Sequence, residues 1–228
     1  MTNKLLTPLF VSRFLLVIIA VVFMLIGAVS AKKLYAAFAE KPLSLNSLQL
    51  FPTPKALPPV MLRTADGEAF VREKFLGHWS LVFFGFTSCP DFCPMELHKL
   101  GQLIKLAQAQ GIHPQVIFVS VDPERDVPTQ LARYVEFFHP QIIGLRGDNP
   151  AIANFARFFG AAYERTAIID NKVMNFPAGV AMPDVAGNQY QVNHSTRIFL
   201  VDPQGRYVGS AATPESAEVL WDDLQKLL

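Results

Sequence analysis

Cysteine is almost absent from this chain: there are two in 228 residues, Cys89 and Cys93, both inside one decapeptide. That excludes a disulfide framework of the kind that staples small secreted domains. A surplus of charge is missing as well, the formal net charge being +1, so there is no general electrostatic reason to expect nucleic acid. There is no arginine-rich block, no Walker-type glycine loop and no G-x-G-x-x-G fingerprint. Internal repeats and low-complexity tracts are likewise lacking.

What is present is apolar. Hydrophobic residues make up 51% of the chain, ample for one well-buried domain with appendages. Phe14 to Ala31 reads FLLVIIAVVFMLIGAVSA without a charge, long enough to cross a hydrocarbon core with flanking help. The run exceeds the ~7–15 residues of a usual signal core, which favours a retained anchor, although Val29-Ser30-Ala31 has the small-residue form of a cleavage site. Lys4 and Arg13 precede the run and Lys32 and Lys33 follow it, a balance that leaves the orientation open. The expected organisation is a short segment over 1–13, an anchor over 14–31, an extended proline-bearing linker over 32–56 and a domain over 57–228.

Within that domain Leu62 to Phe70 predicts a small hairpin around Asp66-Gly67, and Trp79 to Phe86 a buried strand. A helix from Met95 to Gln108 carries Leu97, Leu100, Leu103, Ile104 and Ala107 on one face. Val116 to Val121 is a second buried strand, ending at Asp122-Pro123-Glu124-Arg125-Asp126, where Arg125 and Asp126 are expected to cap or pair near the next helix. Helices follow at Pro128 to Phe138 and Asn149 to Phe159, with a strand at Ile142 to Leu145 between them. Tyr163 to Ile169 and Arg197 to Val201 are expected as core strands, then a short strand at Tyr207-Val208 and a helix from Pro214 to Leu228. The alternation predicts an α/β sandwich with the cysteines at the first strand-to-helix turn, a thioredoxin-like layout behind a single N-terminal membrane helix. The long stretch Asp170 to Ser195 carries Met174, Met182 and His194, and its length suggests a hairpin or a site loop.

Two thiols one helical turn apart share a face, and a helix N-terminus raises their thiolate fraction. With an imidazole from a distant loop they make a soft donor set suited to Cu(I) and able to hold Cu(II). A structural zinc site usually takes four protein ligands, and only two cysteines exist. The plainer readings are a structural disulfide for the cysteines, an ordinary hydrogen-bonded residue for His194, and gap-filling for Met174 and Met182. His78, His98, His113 and His139 read as surface or capping residues.

Four motifs in order, G-F-T-S-C-P-D-F-C-P at 85–94, V-S-V-D-P-E-R-D at 119–126, G-L-R-G at 144–147 and N-H-S at 193–195, resemble the Sco/SenC family. The resemblance implies a membrane-anchored, thioredoxin-fold copper protein serving assembly of the CuA centre of cytochrome c oxidase. By it Cys89 and Cys93 are the copper thiolates, His194 is the third ligand, and Asp122 acts behind them or tunes the redox behaviour. The implied partners are the CuA-bearing subunit II, a thioredoxin-like reductant and another periplasmic copper donor, with the domain on the periplasmic face of the inner membrane. The family commonly has Asp before the histidine; here Asn193 stands there, without the charge. Two other classes use the same thiols: a thiol–disulfide oxidoreductase that reduces the CuA-site cysteines, and a peroxidase, which would need an activated cysteine supported by a group such as arginine.

Overall fold

The computed structural model describes residues 8–38, 43–213 and 216–228. The chain divides into two compact units, Met1–Ser44 and Leu45–Leu228. In the first, helix α1 (Pro8–Phe38) contains one span, Leu15–Leu34, long and apolar enough to cross a membrane. Its 20 residues rise about 30 Å, one hydrocarbon thickness. The helix runs past the expected anchor because Lys32 and Lys33 are good helix formers and no breaker follows them before Phe38. Lys4 lies outside the described residues.

The second unit opens with a correction. Strand β1 (Leu48–Ala56) occupies the end of the expected linker and pairs antiparallel with the last strand of the domain. Pro52 and Pro54 suggested a linker because proline removes a ladder donor. Here they fall in a register shift between Leu50 and Lys55 on an edge strand, where no donor is required of them.

Strands β2 (Leu62–Thr64) and β3 (Ala69–Phe70) form the expected hairpin, its turn eased by Gly67 at φ 89°. Then come β4 (Ser80–Gly85), buried at every residue, α2 (Phe92–Gln108), β5 (Gln115–Ser120), α3 (Pro128–Phe138), β6 (Ile142–Arg146) and α4 (Asn149–Phe159). Asp148 caps α4 by accepting the Ala151 N–H at 2.8 Å, and Gly160 ends it in the left-handed conformation. Strands β7 (Tyr163–Ile169), β8 (Lys172–Pro177) and β9 (Tyr190–His194) follow, then β10 (Ile198–Val201), β11 (Arg206–Ala211) and α5 (Ala217–Gln225). Pro214, the expected start of the last helix, lies outside the described residues; Ser216 caps α5 by accepting the Val219 N–H.

Eight strands make one sheet in the order β1-β11-β10-β4-β5-β6-β2-β3, with β4, β5 and β6 parallel at its centre and the remaining pairs antiparallel. β7 was expected in that sheet. It is instead the middle strand of a separate three-stranded sheet, β8-β7-β9. A two-residue turn at Asp170-Asn171, both at positive φ, joins β7 to β8, and β9, paired on the other side of β7, returns His194 toward β4. One face of the main sheet packs Phe84, Phe155, Phe159, Phe199 and Tyr207 in tilted and edge-on contacts, while Phe83 and Phe118 pack toward the cysteine turn.

Candidate metal centre

Cys93 sits in the first turn of α2 and is fully buried; Cys89 lies four residues earlier in the turn after β4 and is partly exposed. The helix starts three residues before the expected Met95, because Pro94 within the first turn gives up only an N–H that would be orphaned there. The side chain of Asp91 makes no cap bond; the Cys89 sulfur takes that place, accepting the Cys93 N–H at 3.4 Å. Both thiols are free.

His194, the last residue of β9, brings Nε2 to 3.4 Å from Cys93 Sγ. The ligand atoms of Cys89, Cys93 and His194 all lie within 4.8 Å of one another. The imidazole stands edge-on to Phe83 and Phe86, at 6.2 and 5.7 Å between ring centres. Its Nδ1 is 2.9 Å from the Ser195 carbonyl oxygen, which can only accept, so a proton on Nδ1 leaves the Nε2 lone pair facing the sulfurs. Asn193 points the other way, exposed on the opposite face of β9, and does not touch the imidazole.

The two thiols are electrostatically unequal. The hydrogen bond from the Cys93 side chain, helped by the Cys93 N–H, pulls the Cys89 thiol down to about 5 against the opposing effect of burial. The same bond, deep burial and the neighbouring charge push Cys93 up. At neutral pH the pair is therefore one accessible thiolate beside one buried thiol.

Among the described residues Asp122 hydrogen-bonds to none of Cys89, Cys93 and His194. Fully buried after β5, it accepts the Tyr190 hydroxyl at 2.5 Å and pairs with Arg125. The guanidinium lies 3.9 Å above the Tyr190 ring and donates to the Tyr190 carbonyl at 3.1 Å. Arg125 thus pairs, as one of its two expected roles had it, rather than capping α3, and it fastens the end of β5 to the strand that carries His194. Asp126 departs from the expectation of a cap or an ion pair at that helix. Its buried carboxylate accepts Thr87 N–H at 3.0 Å, Thr87 Oγ1 at 2.6 Å and Ser120 Oγ at 2.6 Å, and so anchors the turn that bears Cys89. The sequence signal for this tie was slight, an acid six residues beyond a strand-end serine. Met182 packs partly buried against the core and Met174 is exposed on β8. His139 is buried at the end of α3, where Nδ1 accepts the Gln141 N–H.

A family model described as SCO1/SenC matches residues 53–228. The protein SCO2 homolog, mitochondrial, of Bos taurus is 36% identical over 162 residues, 70% of this chain and 55% of that protein. The chain therefore spans little more than half of such relatives. Among solved structures, Arabidopsis thaliana ScoI with copper bound is 32% identical with a TM-score of 0.62, covering 74% of this chain and 95% of that one. Bradyrhizobium japonicum ScoI with copper bound is 29% identical with a TM-score of 0.61, covering 76% and 99%.

Proposed function

The chain belongs to the SCO1/SenC family, and on that premise we propose that it is a membrane-anchored copper metallochaperone that hands one copper ion to the CuA centre of cytochrome c oxidase during assembly. The observation that carries this reading is the convergence of two sulfurs and one imidazole nitrogen within 4.8 Å, drawn from two distant parts of the chain. Two thiolates and a neutral imidazole suit Cu(I), and the nitrogen donor makes Cu(II) admissible. Cys89, Cys93 and His194 would hold the ion. Asp122 would act as a positioning residue by fixing β9 through Tyr190. Handover proceeds by ligand exchange: a partner ligand binds as one protein sulfur leaves, and no electron moves. The partly exposed Cys89 is the ligand an incoming partner reaches first.

The partner is the subunit II that bears CuA. In this reading α1 anchors the chain in the inner membrane and the Leu45–Leu228 unit faces the periplasm. Ligation requires both cysteines reduced, so a thioredoxin-like reductant belongs to the cycle, with another periplasmic copper donor upstream.

The inequality of the two thiols favours a second reading, reduction of the CuA-site disulfide. The Cys89 thiolate would attack one partner sulfur and expel the other as thiolate. Cys93, after losing its proton, would then attack Cys89 Sγ, release the second partner thiolate and leave a Cys89–Cys93 disulfide. Anaerobic copper titration of the reduced chain, wild type and His194→Ala, separates the two. One tightly held copper with a sulfur-to-Cu(II) band, weakened by His194→Ala, supports the chaperone. Absence of tight copper together with rapid reduction of a CuA-type disulfide by both proteins leaves the reductase.

A further inference from the structure

Tyr134 lies on α3, on the side of the sheet that carries the thiols. Its ring packs against Phe118 at 5.7 Å and edge-on against Phe138 at 5.2 Å between centres. Phe118 in turn borders the site: a Cβ built on Gly85 would meet Phe118 Cε2 at 2.7 Å and Cys93 Sγ at 2.8 Å, so that ring and that sulfur converge on one point. The Tyr134 hydroxyl is buried and has no hydrogen-bond partner among the described residues. An orphaned buried hydroxyl is destabilising, and such groups call for an explanation. Burial holds the phenol above its ordinary range, and negative charge on Cys93, Cys89 and Asp126 adds to it, so the hydroxyl keeps its proton within electrostatic reach of both sulfurs.

A protonated thiol is a weak acceptor, whereas a metal-bound thiolate is deprotonated and accepts well. We propose that Tyr134 is a positioning residue that donates its O–H to the copper-bound Cys93 thiolate, an acceptor created by metal binding. This rests on the copper reading above. The consequence is electronic. A hydrogen bond to a ligating sulfur draws electron density from it, which raises the energy of sulfur-to-copper charge transfer and favours Cu(I) over Cu(II).

The test uses the full chain in detergent micelles, reduced and loaded with one equivalent of Cu(II), as wild type, Tyr134→Phe and Phe138→Leu. Tyr134→Phe removes only the hydroxyl, whereas Phe138→Leu disturbs the same packing and leaves the hydroxyl in place. The expected result for Tyr134→Phe is a charge-transfer band at longer wavelength and a lower Cu(II)/Cu(I) potential, with the metal-free protein melting no lower than wild type. Phe138→Leu should leave the band and the potential where they are. A wild-type band that Tyr134→Phe does not move overturns the inference and leaves the copper reading standing. Equal shifts in both variants assign the effect to packing and also overturn it. No band in wild type removes the copper reading and this inference together.

Discussion

A Cβ on Gly85 would stand 2.8 Å from the Cys93 sulfur, so the last residue of β4 and the first-turn thiol of α2 are in contact, with Phe118 closing the third side at 2.7 Å. None of these neighbours is the free end of a flexible chain. Gly85→Ala must therefore push Cys93 or Phe118 aside. Overpacking of this kind costs about 1–3 kcal/mol, and disturbing a ligand's support typically weakens metal binding by about 10–100-fold. Copper titration paired with thermal melting checks it. Unaltered copper affinity would mean that the sulfur has room the packing denies it.

The unequal thiols give a proton count. Cys89, pulled down to about 5, is already ionised at pH 7, whereas Cys93 is not. Copper binding at neutral pH should release about one proton rather than two. Calorimetric titration in buffers of different ionisation enthalpy reads this number directly, and a release of two would show that Cys89 is protonated. Alkylation of the metal-free chain should mark Cys89 alone, its rate rising through about pH 5 and then levelling.

Asp122 and Tyr190 tie β5 to β9 and, through β9, to His194. Tyr190→Phe removes one buried hydrogen bond and should cost about 1 kcal/mol. Asp122→Ala leaves the Arg125 charge without its partner, and breaking such a buried pair costs on the order of 3 kcal/mol. Denaturant unfolding measures both. If Asp122 positions the imidazole, both variants also broaden the Cu(II) resonance, Asp122→Ala more; an unchanged resonance beside lost stability would confine Asp122 to the scaffold.

The local signals in the sequence were strong where a residue acts on its own neighbours. Pro128, Pro150 and Gly160 bound α3 and α4 as expected, since each acts within its own turn. The two thiols were legible for the same reason, and His194 through the motif around it. Long-range pairings were not legible. β1 was hidden by Pro52 and Pro54, whose place on a bulged edge depends on a partner some 150 residues away. β7 has the alternation of any half-buried strand, and nothing within it distinguishes a second sheet from the first. Asp126 looked like a helix-start acid; only the folded chain brings Thr87 to it.

The sharpest stability prediction concerns Asp223, which holds β1 in place. Fully buried on α5, it accepts backbone N–H groups of Asn46 at 2.8 Å, Ser47 at 2.6 Å and Leu48 at 3.0 Å, together with Ser47 Oγ at 3.0 Å and Lys226 Nζ at 3.2 Å. Burial alone would raise this carboxyl. The donors outweigh it and hold the group at about 2, below the ordinary 3.8. A carboxyl depressed in the folded state contributes stability that is fully present above its unfolded value and is lost as pH falls through its folded one. The contribution is roughly 2 kcal/mol and should vanish between about pH 4 and pH 2. Asp223→Asn should lower neutral-pH stability and flatten the acid limb across that window; an acid limb identical to wild type would place the sensitivity elsewhere. A soluble fragment beginning at Leu57 should fare worse than the point variant. It strips all three backbone donors from a buried carboxylate and uncovers the edge of β11, so it should unfold at lower denaturant than a fragment beginning at Leu45.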